Sequence, residues 1–289
     1  LEPTALATLL AVYSVASIVA ALGDLGLGTL SVRERAYGDG AKADFAIRTA
    51  DRMAVVTAVL SVTILILIAF VHPTLIPCIP LVLWAPIERA TETRTLRLIA
   101  DHKVGRVAVL NAGRRLIGLA LFLPLTIIFP ADWAFTVALL LGAMLGQCVA
   151  MGWVRLEVEI PELGVISLLR EAMPFTLTSL SGQLRNLDVP LVTAIIGNAS
   201  AAAYGLGARF ASPALLIYSA VSALMLVRVR RKSRRDVAVL LMVMLTGTFV
   251  LSVVTIVCLP LLADSLTPHI SWISEQVMLI IALVASSYM

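Results

Sequence analysis

Residues 53–71 read MAVVTAVLSVTILILIAFV and contain no charged side chain. A helix needs about 20 mostly apolar residues to cross the hydrocarbon core of a bilayer. The whole chain has a similar character, since 60% of its 289 residues are hydrophobic and 14% are charged. Soluble domains are usually about 45–50% apolar and about 25% charged. The composition therefore excludes an ordinary soluble protein and a disordered chain, and it predicts a polytopic membrane protein.

The hydropathy pattern predicts nine spanning segments. Their predicted bounds are 4–25, 53–71, 74–89, 107–129, 133–153, 174–196, 200–226, 237–262 and 268–289. Strands of a membrane barrel would be about 10 residues long and would alternate polar with apolar side chains. These segments are longer and continuously apolar, so the predicted fold class is all-α, a polytopic bundle of membrane helices.

The basic residues sort the connections into two sets. All but four of the 22 Lys and Arg residues fall within 31–52, 88–106, 155–171 and 228–235. The alternate connections, near His72, Asp132, Asn198 and Asp264, contain no Lys or Arg. Basic connections of membrane proteins stay in the cytoplasm. The alternation supports the helix count independently of hydropathy and predicts a multi-pass protein of the cell membrane.

Other classes of site find little support in the sequence. Cys78, Cys148 and Cys258 are scattered through apolar segments, so we interpret them as buried packing residues rather than as disulfide or metal ligands. The three histidines lie in connections without ligand spacing. We expect no metal, no cofactor and no enzymatic activity. The basic run at 228–235 directly follows a span, which favours contact with anionic lipids over nucleic acid.

Three charged residues fall near the middle of predicted spans. Arg185 and Asp188 share one helical stripe with Thr178 and Ser181, and Arg209 lies at a comparable depth in the next span. Charges at the bilayer centre cost about 2.5–3.5 kcal/mol each on insertion scales, and they usually face a bundle interior or a wet cavity. One interpretation is an internal ion pair that fixes helix packing. The other is a cationic lumen that holds an anionic group, because the three residues carry one net positive charge.

Four further charged residues are weaker candidates. Arg114 and Arg115 lie inside the fourth span, where they either face the lumen or extend to the cytoplasmic head groups. Asp24, near the end of the first span, has an alternative role as a helix-end group paired with Arg33 or Arg35. Glu275 opens the last span and lies either at a cavity or among the head groups.

Several short motifs resemble the polysaccharide-unit flippases, the O-antigen and exopolysaccharide flippases of the MATE-like exporter superfamily. Asp24-Leu-Gly-Leu-Gly28, followed by Arg33, is similar to the end of that family's second helix. Leu184-Arg-Asn-Leu-Asp188 and Ala203-Tyr204-Gly205-Leu-Gly-Ala-Arg209 resemble its seventh-to-eighth helix signature, and Arg170-Glu-Ala-Met-Pro174 resembles the start of the seventh helix. The motifs occur in the family's order along the whole chain.

The resemblance implies two helical lobes around a central cavity that opens alternately to each side. The predicted divisions are an N-terminal lobe at 1–157, a cytoplasmic linker at 158–173 and a C-terminal lobe at 174–289. The first span here corresponds to the family's second and the last to its tenth. We therefore expect a fragment of a longer transporter that lacks the first and last helices.

The implied substrate is a polyprenyl-pyrophosphate-linked oligosaccharide for polysaccharide or lipopolysaccharide synthesis. Its pyrophosphate needs compensating positive charge in a low-dielectric region, and the resemblance assigns this role to Arg185 and Arg209 with Arg114 or Arg115. Charge-pairing or coupling candidates are Asp188, Asp24 and Glu275. Other polysaccharide-assembly proteins are possible partners.

Three alternative functions stay open. A drug or cation exporter of the same superfamily would favour acidic lumen residues, whereas the intramembrane excess here is basic. A membrane polymerase or ligase of polysaccharide assembly would carry a large outer loop, whereas the predicted outer connections are only a few residues long. A remnant that does not transport is the third alternative.

Overall fold

The structure is a computed structural model that describes residues 3–156, 164–198, 201–202 and 204–205, together with positions 239, 242, 246 and 247. Every regular element in these residues is helical, as the sequence predicts. The α-helices are α1 Pro3–Asp24, α2 Leu27–Tyr37, α3 Gly40–Ala69, α4 Ile79–Ala100, α5 Val104–Ile128, α6 Ala131–Trp153, α7 Val165–Leu184 and α8 Asp188–Ile195. Turns of 3₁₀-helix lie at Pro73–Cys78 and Arg185–Leu187.

Four helices are long and apolar enough to cross a membrane, namely α1, α3, α5 and α6. They match the first, second, fourth and fifth predicted spans and indicate a membrane protein. On α3 and α5, large apolar side chains such as Val59, Leu67, Leu119 and Ile127 are exposed. An exposed apolar stripe on a long helix is the surface that lipid covers in a bilayer. The predicted spans at 200–226, 237–262 and 268–289 lie almost wholly outside the described residues.

The third predicted span differs in its bounds. The helix begins at Ile79 rather than at position 74, because Pro73 and Pro77 hold the preceding residues in a 3₁₀ turn. It then continues to Ala100, well past the predicted end near Arg89. No glycine or proline occurs between residues 87 and 104 to end it. Arg89, Arg94 and Arg97, which the sequence places in a connection, therefore lie on the middle and second half of α4.

The first basic connection is also helical. Residues 31–52 form the end of α2 and the start of α3, with Gly38 in the left-handed region at φ 95° between them. The Asp39 side chain caps α3 by accepting a hydrogen bond from the Lys42 amide at 2.9 Å. The basic ends of α3 and α4 are thus regular helices that extend beyond the apolar spans, and their charged side chains can pack against each other.

The predicted span at 174–196 is two helices in the structure. α7 begins at Val165, within the predicted linker, because Leu168 and Ala172 are fully buried against Leu27 and Ala46. A 3₁₀ turn at Arg185–Leu187 then separates α7 from α8. The single helical stripe predicted from Thr178 to Asp188 is therefore wrong, because the 3₁₀ turn interrupts the helix after Leu184.

The two predicted lobes stay a prediction. Clustering of the contacts within the chain divides it into two units, Leu1–Pro190 and Leu191–Met289.

Within the first unit, α4 lies against α1, α2, α3 and α6. Its first half is apolar, and the Trp84 ring stacks on Tyr13 of α1 with centroids 4.7 Å apart. On α6, five small residues at every fourth position are buried: Ala134, Ala138, Gly142, Gly146 and Ala150. Small residues at this spacing let two helix backbones approach closely within a membrane.

Candidate functional site

The candidate site is built on the middle of α4 and α5. Glu88 is the tenth residue of α4 and Arg114 is the eleventh of α5. At about 1.5 Å per residue, Arg114 lies about 15 Å from the start of a helix about 37 Å long. Both residues are therefore close to the middle of their helices, far from either end.

Glu88 contacts two arginines of the neighbouring helix. Its Oε2 atom lies 3.0 Å from Arg114 Nη1, and its Oε1 atom accepts a hydrogen bond from Arg115 Nη2 at 3.2 Å. The Arg114 side chain is only 6% exposed and that of Arg115 is 49% exposed. Two guanidinium groups thus share one carboxylate, which leaves one net positive charge.

The packing of α5 on α6 fixes the position of Arg114. A Cβ atom added at Gly142 would lie 2.7 Å from the Arg114 carbonyl oxygen, and one at Gly146 would lie 3.3 Å from the Arg114 Cβ. Only a very small residue fits at Gly142. The stripe of small residues on α6 therefore brings the α5 backbone close enough for Arg114 to reach Glu88.

A cavity of about 310 Å³ lies beside these three charges, between α4, α5 and α6. Glu88, Arg114 and Arg115 line one part of it, and the other lining residues are apolar, among them Phe122 and Phe135. Among the described residues, the buried Arg114 Nε atom has no hydrogen-bond acceptor, whereas Nη1 is paired with Glu88. An unpaired buried donor beside a cavity is a position at which an anion would gain hydrogen bonds.

Asp24 belongs to a second buried cluster. Its Oδ2 atom accepts from Arg89 Nη2 at 3.2 Å and its Oδ1 atom accepts from the Thr93 hydroxyl at 3.3 Å. Arg89 also donates to Ser179 Oγ of α7 at 2.8 Å and to Glu92 at 3.0 Å. The alternative pairing of Asp24 with Arg33 or Arg35 is wrong, because α4 packs against α1 and brings Arg89 to the end of that helix.

The Asp24–Gly28 motif forms the turn between α1 and α2, and α7 packs directly on it. Gly26 has φ 71°, and a Cβ there would lie 2.5 Å from the backbone nitrogen of Thr176. Lys42 of α3 donates to Glu171 of α7 at 2.7 Å. The motif therefore serves as a close-packing surface for α7.

The basic end of the first unit is held by further ion pairs. Arg94 pairs with Asp51, and Arg97 Nη2 lies 3.0 Å from Asp44 Oδ1. Asp101 accepts from Arg35 Nε at 3.0 Å. Each of these pairs joins two different helices or a helix and the turn that follows α4, so the charges hold the helix ends together.

Asp101 makes the stability of this end dependent on pH. Partial burial opposes ionisation, but the hydrogen bond from Arg35 and the charges of Arg97 and Lys103 lower the pKa of Asp101 below its usual value. The ionised form therefore stabilises the fold above about pH 4, and this contribution is lost as pH falls through the lowered pKa. We expect Asp101→Asn to lower the Tm at pH 7 and to have less effect below pH 4. An effect on Tm that is equal at both pH values would contradict this prediction.

The remaining predicted site residues are only partly described. Arg185 begins the 3₁₀ turn after α7, with its backbone alone described, and Asp188 is the first residue of α8. Arg209 and Glu275 lie outside the described residues. The proposed meeting of Arg185, Asp188 and Arg209 therefore stays a prediction.

Sequence reasoning missed Glu88 and Arg89 as candidate residues. Both were counted with a cytoplasmic connection because they are charged and stand next to a basic segment. The sequence does contain a signal for them: no glycine or proline occurs between residues 87 and 104. This absence predicts that the helix continues past Glu88 and Arg89, so that both side chains lie on a helix surface.

Comparisons with known proteins find no match for this chain among family models, curated proteins or solved structures. The described residues contain no group of three or more His, Cys, Asp or Glu side chains that could hold a metal ion.

Proposed function

We propose that the protein is a membrane transporter that moves a polyprenyl-pyrophosphate-linked oligosaccharide from the cytoplasmic to the outer leaflet of the cell membrane. Two MATE-like lobes would alternate in exposing the substrate to each side. The observation that carries this proposal is the excess of arginine over carboxylate at Glu88, Arg114 and Arg115, halfway along α4 and α5. An anionic substrate is the partner that such a site fits.

The energetics favour a functional role for the extra arginine. A single buried ion pair can be replaced by apolar side chains without loss of stability, so packing alone does not require these charges. Arg115, whose side chain is 49% exposed, adds a second positive charge, and among the described residues only Glu88 pairs with the two arginines. A transported pyrophosphate would supply the missing negative charge at this position.

The charge pairing also argues against the nearest rival, an exporter of drugs or cations. Such a protein needs a carboxylate that is available to the cation. In the described part of the chain, the buried carboxylates of Asp24, Glu34, Asp44 and Glu88 each lie within 3.5 Å of an arginine or lysine nitrogen. At the cavity, two arginines share the single carboxylate of Glu88, so the net charge is positive, which supports an anionic substrate.

Complementation of a flippase-deficient strain tests the proposal. We expect Arg114→Ala to lower surface polysaccharide at least tenfold at equal membrane levels of protein, because it removes the buried partner of the substrate phosphate. The same loss is expected for Arg185→Ala and Arg209→Ala, the residues that the resemblance assigns to the lumen.

Arg52→Ala is the matched control, since Arg52 is an exposed arginine of α3 outside the cavity. It is expected to retain wild-type polysaccharide levels. Full complementation by all three lumen variants, or failure of the wild-type protein to complement any such strain, would refute the proposed function.

A further inference from the structure

The cavity beside Glu88 is lined by one carboxylate and two arginines, so a bound anion could take the place of the carboxylate. Each carboxylate oxygen of Glu88 contacts a different arginine, with Oε2 on Arg114 and Oε1 on Arg115. Glu88 therefore occupies the two groups that an incoming phosphate would use. The orphan Nε atom of Arg114 offers one further donor.

We propose that the substrate's phosphate displaces Glu88 from Arg114 and Arg115, and that Glu88 takes up one proton from water when it is displaced. This inference rests on the proposed function, because it names the residue that couples anion binding to a proton at the same site. The arginines exchange one acceptor for another, and the carboxylate becomes a neutral carboxylic acid.

The physical reason is the repulsion between two anions in one buried site. A carboxylate that loses its cationic partners while a phosphate lies beside it is strongly favoured to protonate. Before exchange the three side chains carry one net positive charge. After exchange, two arginines face a pyrophosphate diester with two negative charges while Glu88 is neutral, so the site as a whole is neutral.

The other charged groups around α4 have partners of their own. Glu92, one turn further along α4, accepts from Arg89, and Arg89 also binds Asp24 of α1. Asp51 of α3 pairs with Arg94. From α6, the cavity is lined by Phe135, Ala138, Leu139 and Ala143, which do not titrate. Among the described groups, Glu88 is thus the one whose partners the anion takes.

The test is calorimetric binding of a soluble probe to the purified protein in detergent. The probe is the symmetric dimethyl ester of pyrophosphate, a dianion with the proposed linkage and no proton that titrates near neutral pH. Titration in two buffers of different ionisation enthalpy counts the protons taken up on binding. We expect uptake approaching one proton per bound probe, and an affinity that falls up to tenfold per pH unit as pH rises.

Glu88→Gln is expected to bind the probe without proton uptake and with little dependence on pH, because the amide cannot ionise. Glu92→Gln is the matched control, a carboxylate on the same helix outside the cavity, and should keep the wild-type proton count. Arg115→Gln should weaken binding at least tenfold, and a Tm close to that of the wild type shows that each variant is folded.

Two results would overturn the inference: unchanged proton uptake in Glu88→Gln, or no binding of the probe to the wild-type protein. The outcome is separable from that of the complementation assay. If lipid-linked oligosaccharide is transported but Glu88→Gln still takes up the proton, then the exchange at Glu88 is wrong while the proposed function stands. If complementation fails but the probe binds with proton uptake, the site exists and the substrate assignment is wrong.

Discussion

Replacement of Gly26 by alanine is expected to lower the free energy of unfolding by about 2–5 kcal/mol. Gly26 lies in the left-handed region at φ 71°, where a Cβ atom costs about 1–2 kcal/mol. The new methyl group would also lie 2.5 Å from the Thr176 nitrogen and 2.8 Å from the Ala172 carbonyl oxygen. Both are backbone atoms that cannot rotate away, so α7 must move, and overpacking of this kind costs about 1–3 kcal/mol more.

The chain contains a control that separates these two costs. Gly38 also has a positive φ, 95°, but an added Cβ would meet no atom within 4 Å. Gly38→Ala should therefore cost only the backbone penalty of about 1–2 kcal/mol. Thermal unfolding of the two variants in detergent gives the comparison. If their Tm values fall equally, the close approach of α7 to the turn is not energetically important.

Movement of α7 should also be visible in its ion pair. Glu171 of α7 lies 2.7 Å from the Lys42 nitrogen. Cysteines placed at these two positions should be joined in high yield by a short bifunctional thiol reagent when Gly26 is present, and in low yield together with Gly26→Ala. Equal cross-linking in both backgrounds would show that the methyl group is accommodated without displacement of α7.

The second large effect is expected from Asp44→Ala. The Asp44 and Arg97 side chains are 1% and 5% exposed, and their charged atoms lie 3.0 Å apart. Removal of the carboxylate leaves a buried guanidinium whose next carboxylate, on Asp101, is 3.6 Å from its Nε atom. Loss of one partner of a buried pair costs about 3–5 kcal/mol. We expect the lower part of this range, because Asp101 still compensates part of the Arg97 charge.

Double replacement distinguishes this cause from simple loss of packing. Asp44→Ala with Arg97→Ala should be more stable than Asp44→Ala alone, since no uncompensated charge stays buried. Lys103→Ala is the surface control: Lys103 is 45% exposed and its nitrogen lies 3.7 Å from Asp101, so a change below about 1 kcal/mol is expected. Additive Tm changes in the double variant would contradict the assignment of Asp44 and Arg97 as an energetically coupled pair.

The apolar spans could be predicted because they depend on chain-local chemistry. A backbone in hydrocarbon must satisfy its own hydrogen bonds, so a long uncharged stretch such as 53–71 has no alternative to a helix. The bounds failed where charge was taken as the end of a helix. Arg94 and Arg97 continue α4 because each finds an oppositely charged group on the neighbouring helix α3.

The site could be predicted only in part. Arg114 and Arg115 stood out because a charge inside an apolar span is costly. Their partner Glu88 could not be identified from the sequence, because it is 27 residues from Arg115. The two side chains meet only when α4 and α5 pack side by side. The partner of Asp24 was assigned wrongly for the same reason, because Arg89 is 65 residues distant.

The sequence by itself determined that this is a membrane protein and that its spanning segments are apolar helices. Those properties follow from composition and from the period of single segments, which need no neighbour. Only the tertiary structure decided that Glu88 pairs with two arginines beside a cavity and that α7 packs against Gly26. Both depend on how closely two helix backbones approach, and that distance is set by small residues such as Gly142 on one helix meeting the backbone of another.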